Sequence, residues 1–153
     1  RCSFMQSYKC LWSKKIKLIK RGWRNILSDP ALLFKKKESI NVHFDMHHTY
    51  GTLDKAISVL NNYDRDEFRE YVNKNNSYNP HIMFISKPEL IEKWFSTLFP
   101  WLERCEEIFG FEELEGYDQK RLYAFLAERY MSFWFRKYSK LNIKFSRLRC
   151  WLF

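Results

Sequence analysis

Tyr78-Asn-Pro-His-Ile-Met-Phe-Ile-Ser-Lys-Pro-Glu89 is the stretch on which the fold class turns. Its centre, His81–Ile85, is a short apolar run with turn signals on both sides, which predicts a buried strand. Ser86-Lys-Pro-Glu89 reads as a capping box with proline in the first turn, so a helix should follow. Leu90, Trp94, Leu98, Leu102, Cys105 and Phe109 keep the helical period up to a stop at Gly110. Pro100 falls inside that helix and is expected to kink or break it, because it removes an N–H and crowds the preceding turn.

Working outward, Ile40-Asn-Val-His-Phe-Asp45 alternates and reads as a short strand. Gly51-Thr52 opens a helix through about Asn61, and Asp64-Arg-Asp-Glu67 reads as the capping box of the next, to about Asn73. Asn73–Pro80 is a polar loop. Asp29-Pro30 starts a short helix, with Asp29 as N-cap. A helix is expected over Tyr117–Tyr138 and a short strand over Ile143–Phe145. Two or three short strands cannot form an independent parallel sheet with covered edges. Either further strands lie upstream, or the domain is mostly helical with a small hairpin. The fold class expected is α/β, helix-rich, with an incomplete sheet. Residues 1–40 form a basic amphipathic segment, 41–140 the main domain and 141–153 a basic aromatic tail. The leading Arg1 suggests the C-terminal piece of something longer.

The chain has 153 residues and a formal net charge of +9, unevenly spread. Residues 1–40 hold 11 Lys and Arg against 2 acids, 41–135 hold 10 against 16, and 136–153 hold 6 against none. The basicity belongs to the ends, so a nucleic-acid-binding face on the central domain is not supported. Cys2, Cys10, Cys105 and Cys150 show no CxxC spacing, which favours reduced thiols and a cytoplasmic setting. Cys105 lies on an amphipathic helix, where a small buried thiol is the default. No apolar run reaches the roughly 18–20 residues of a spanning helix.

Residues 11–27 read as a basic amphipathic helix in which Trp12, Ile16, Ile19, Trp23 and Ile26 recur at spacings of three and four. One reading is docking on an anionic membrane surface, peripheral to the inner face of the plasma membrane. The other is a surface helix whose stripe packs on the rest of the protein.

The candidate chemistry is concentrated in three places. His43 and His47 would share a face if residues 43–48 were helical, with Asp45 nearby, but a zinc site wants three or four ligands and none is assigned. Asn79 and His81 stand at the mouth of the expected strand, either as ligand-binding groups or simply as an Asn-Pro turn. In Tyr117-Asp-Gln-Lys-Arg-Leu-Tyr-Ala-Phe-Leu-Ala-Glu-Arg-Tyr130, Arg129 falls into the apolar stripe of Leu122, Leu126, Tyr130 and Phe133. An arginine there needs a carboxylate, a carbonyl row or a bound anion. Arg121 and Glu128, seven residues apart, nearly align on another side. Glu128 is suited to general-base work or to holding a hydroxyl, and Arg121 and Arg129 to phosphate contacts. The alternative is a structural Arg–Glu network. There is no Gly-rich phosphate loop and no GxSxG.

From about Asp45 to Lys140 the chain resembles a bacterial family of capsular and exopolysaccharide-biosynthesis glycosyltransferases, formerly known only as a domain of unknown function. Three blocks carry the resemblance: Phe44-Asp-Met-His-His-Thr-Tyr-Gly-Thr-Leu-Asp-Lys55, Tyr78-Asn-Pro-His-Ile-Met-Phe-Ile-Ser-Lys87 and the Tyr117–Tyr130 helix. Leu98-Phe-Pro-Trp-Leu102 also fits. The resemblance implies a glycosyltransferase-A-like fold of which this chain is the C-terminal, acceptor-side half. It implies a nucleotide-sugar donor, a glycan or lipid-linked acceptor, and a role in capsule, exopolysaccharide or lipopolysaccharide synthesis. Matched residue by residue, it implies Glu128 as the catalytic group and His48, Asn79, Gln119, Arg121 and Arg129 as substrate-binding groups. Cofactor use stays open, with a divalent cation among the options for a full-length enzyme.

Overall fold

The computed structural model describes residues 8–9, 19–33, 38–111 and 116–139. The expected α/β, glycosyltransferase-A-like sheet is absent among the described residues, whose fold is helical with one two-stranded pair. Among the described residues the strands are Tyr8–Lys9 (β1) and Ser77–Tyr78 (β2), paired antiparallel with Tyr8 opposite Tyr78. Everything else of regular structure is helical. After a short helix Trp23–Ser28 (α1) and a 3-10 turn Pro30–Leu33 come Ile40–His47 (α2), Thr52–Ser58 (α3) and Asn62–Lys74 (α4). The long helix Pro88–Phe109 (α5) follows, then Tyr117–Lys120 (α6) and Leu122–Tyr138 (α7). The expected Ile143–Phe145 strand lies outside the described residues.

Two expected strands fail for different reasons. Residues 81–84 are irregular, Ile85 makes only a single bridge, and Ile82, Met83 and Ile85 are exposed, so among the described residues the apolar run forms no strand. Only Phe84 packs inward, its ring 4.6 Å from that of Phe135. Residues 40–45 are helical because Ser39 Oγ caps the turn by accepting the Val42 N–H at 3.3 Å. Their alternation has a helical explanation. Ile40 and Phe44, one turn apart, face the main core, while Val42 and Met46 face a second cluster with Leu32. A helix buried on two sides mimics the period of a strand.

The caps are also redistributed. Asn61, not Asp64, caps α4, its Oδ1 accepting the Asp64 N–H at 3.0 Å. Lys87 occupies the N-cap of α5 with no side-chain hydrogen bond, so Ser86 does not form the expected box, although Pro88 does start the helix. The 22-residue α5 runs unbroken through Pro100. Pro100 and Ser96, whose carbonyl loses its partner, are both exposed, so water can satisfy it. Gly110 ends the helix at φ 67°, a left-handed conformation that glycine takes without steric cost.

The core lies where α5 and α4 pack on α7. Residues Leu126 to Phe135 of α7 are all buried, so this helix is central rather than amphipathic at the surface. Trp94, Trp101 and Trp134 are fully buried around Tyr130, and Phe68 meets Tyr130 edge-on at 5.2 Å. Trp101 Nε1 donates to the Ala56 carbonyl at 2.7 Å and Arg104 Nε to Val59 at 2.8 Å, which fixes the end of α3 against α5. Cys105 is buried as expected, and burial pushes its thiol up to about 12.

Candidate functional site

Arg129 has no exposed surface. Its Nη1 donates to Glu128 Oε2 at 3.1 Å and to the Phe125 carbonyl at 3.3 Å, and its Nη2 donates to the Tyr78 hydroxyl at 2.9 Å. The guanidinium lies over Tyr78, Phe125 and Phe44, at 4.1, 5.0 and 5.3 Å from the ring centroids. Of the alternatives expected for an arginine here, a carboxylate and a carbonyl are present, and aromatic faces complete the shell. A buried, committed guanidinium cannot reach a phosphate, so the anion-binding role expected of Arg129 falls away.

Glu128, one residue earlier, is nearly buried. Burial raises its carboxyl above the usual range, and the charges of Arg129, Arg121 and His81 only partly offset that. Arg121 is exposed at the joint between α6 and α7. Its guanidinium stacks on Tyr117 and Phe125, and it donates to the Tyr117 hydroxyl. A carboxyl whose pKa burial raises is a stronger proton acceptor than a solvated one, so it is suited to taking a proton from a hydroxyl.

Near this row, without Glu128 or Arg121 in its lining, a shallow open cleft of about 460 Å³ lies between Arg21, the end of α2 and the start of α6. Its walls include Asp45, His48 and Thr49 on one side and Tyr117 and Gln119 on the other. Gly51, at φ 78°, turns the chain so that its N–H reaches Asp45 Oδ1 at 3.2 Å. Burial nevertheless pushes the Asp45 carboxyl up to about 6. His48 is held between Phe44 and Phe125, ring centroids 4.3 and 5.0 Å away. His43 and His47 do face one another, at 4.9 Å. Burial first, then Arg129 and the neighbouring histidines, drives His43 down to about 3, so it stays neutral. No group of three or more His, Cys, Asp or Glu side chains that could hold a metal occurs among the described residues.

The six residues singled out from the sequence therefore divide. His48 and Gln119 line the cleft, and Arg121 stacks on its Tyr117 wall. Glu128 follows along the same helix, linked to Arg121 by charge and to Arg129 by hydrogen bond. Asn79 stands apart. Its Nδ2 donates to the His81 carbonyl at 2.8 Å and its backbone N–H to Ser132 Oγ at 2.7 Å, so it anchors the 79–81 turn on α7. Sequence reasoning missed Asp45, Thr49, Tyr117 and Arg21 as cleft residues. Only Asp45 had a usable signal: with Ser39 read as a cap, Asp45 and His48 fall three apart on one helical edge.

Residues 4–140 match the model of a family described as a domain of unknown function, DUF4422, and the chain belongs to that family. No curated protein and no solved structure matches it.

Proposed function

We propose that the chain is the acceptor-side portion of a glycosyltransferase that takes a sugar from a nucleotide-sugar donor during capsule, exopolysaccharide or lipopolysaccharide synthesis. The observation that carries this reading is the cleft, in which the 44–55 and 117–130 blocks, far apart in sequence, supply opposite walls. Its size suits a small ligand. Its chemistry suits a sugar, whose hydroxyls pair with Asp45, Thr49 and Gln119 while its C–H face meets the exposed Tyr117 ring on the side that Arg121 does not cover. Glu128 is the base or the acceptor-hydroxyl ligand, and Arg121 is the exposed cation that would meet a leaving diphosphate. Arg129 positions Glu128 and touches no substrate.

The test is release of nucleoside diphosphate from a panel of nucleotide sugars in the presence of capsular glycan acceptors. Glu128→Gln should lower turnover by roughly 10²-fold or more. Tyr117→Ala should act mainly on the acceptor KM. Undiminished turnover in Glu128→Gln would sink the catalytic assignment.

A further inference from the structure

We propose that the turn carrying Ile19, Trp23 and Leu27 docks on an anionic lipid surface. Trp23 and Leu27, one turn apart on α1, are 52% and 72% exposed, and Ile19, in the helical residues just before the break at Gly22, is 54% exposed. These apolar side chains have no cover among the described residues. Lys20, Arg21 and Arg24 are interleaved with them and are also exposed. The face is held on the body of the protein. Ile26 turns inward onto the cluster of Leu32, Val42 and Met46, Asn25 is buried, and Ser28 Oγ lies 3.2 Å from the Tyr50 hydroxyl. The stripe read from the sequence thus splits: Ile26 packs inward, Ile19 and Trp23 face water, and Trp12 and Ile16 lie outside the described residues, while Leu27, outside that stripe, joins the exposed side.

Charge selects the occupant. Residues 1–40 carry 11 basic against 2 acidic side chains, which fits phosphate headgroups. The apolar members fit a lipid boundary, where tryptophan sits at headgroup depth and Ile and Leu reach the acyl region. RNA would use the cations and leave Ile19 and Leu27 in water. Among the described residues no helix is long and apolar enough to cross a membrane, so the contact lies in the plane of the surface. Arg21 belongs both to this turn and to the cleft wall, so docking brings the cleft mouth to the lipid. This proposal stands without the sugar-transfer reading.

The experiment is co-sedimentation of the full chain with vesicles of phosphatidylcholine alone, or mixed with phosphatidylglycerol. Binding is expected to the mixed vesicles and to be weakened by salt. Lys20→Ala and Arg24→Ala should each reduce it about fivefold. Trp23→Ser with Leu27→Ser should reduce it by roughly tenfold or more, with the thermal melt unchanged because both side chains are exposed. Equal binding to neutral vesicles, or full binding by the double variant, overturns the proposal. So does a chain that ignores both vesicles but binds single-stranded RNA, or one that forms a dimer which the double variant loses.

Discussion

Asp64 and Glu128 are both buried against α7, Asp64 from α4 and Glu128 from α7 itself, and their surroundings differ in kind. Asp64 accepts the hydroxyls of Tyr130 and Tyr138 at 2.6 Å each and meets Lys137 Nζ at 2.9 Å. Burial pushes its carboxyl up, but these three donors together outweigh that and hold it below its ordinary value. Glu128 has one close donor, Arg129, and burial prevails over every cation near it. A carboxylate saturated with donors is locked as a charge and fastens two helices. One left short of donors has its proton affinity raised by burial and stays chemically available. The contrast separates scaffold from candidate site more cleanly than burial does, since both groups are buried.

The largest expected effect tests the scaffold half of this contrast. Asp64→Ala strands two tyrosine hydroxyls and takes from Lys137 one of its two carboxylate partners, leaving it Glu67 and the Tyr63 carbonyl. It should cost about 3–5 kcal/mol, read by urea unfolding at pH 7. The sign with pH follows from the lowered pKa. The Asp64 contribution is complete above the usual carboxylate range and is lost as pH falls through its folded value. Wild type should therefore lose this part of its stability in acid, and the variant should show no such loss.

Glu38 extends the other half. It is 1% exposed, neither carboxyl oxygen has a hydrogen-bond partner among the described residues, and burial pushes it up to about 7. A folded pKa above the unfolded value of 4.5 means that stability falls as pH rises between the two. Asp45, raised to about 6, acts the same way. Glu38 and Asp45 thus lower stability as pH rises from acid toward 7, while Asp64 and the neutral His43 lower it as pH falls, His43 from 6.5 downward. Glu38→Gln should raise stability at pH 8 by up to about 3 kcal/mol and leave it nearly unchanged at pH 4. Melting curves across pH check both; a Glu38→Gln variant no more stable than wild type at pH 8 would break the comparison.

Parts of this were legible in the sequence because they depend on local rules. Pro88 and Gly110 bracket α5, and Arg129 in the apolar stripe called for a carboxylate, a carbonyl row or a bound anion, of which the first two are met by Glu128 and the Phe125 carbonyl. The sheet was misread because period-2 alternation at 40–45 is also what a helix shows when it is buried on two faces. An apolar run at 81–85 says nothing about whether an edge exists for it to join. Asp64 was hidden by a local explanation. Asp64 and Glu67 spell a capping box, whereas the partners that matter, Tyr130, Lys137 and Tyr138, lie more than sixty residues away. The cleft was half visible, through His48 and Gln119, but pairing its walls needed the tertiary contact between residues 45–49 and 116–119.

The smallest expected effect on stability carries the most weight for function. Glu128→Gln removes a desolvated charge, which stabilises at neutral pH, and weakens the partner of a buried guanidinium, which destabilises. Arg129 keeps the Tyr78 hydroxyl, the Phe125 carbonyl and three aromatic faces, and the amide oxygen that replaces the carboxylate can still accept. The two effects oppose, so the net change should stay within about 1 kcal/mol. If Glu128 belongs to the site, this variant melts like wild type yet loses turnover. A loss of several kcal/mol would instead place Glu128 with Asp64 as part of the scaffold, and the contrast between the two carboxylates would no longer mark a site.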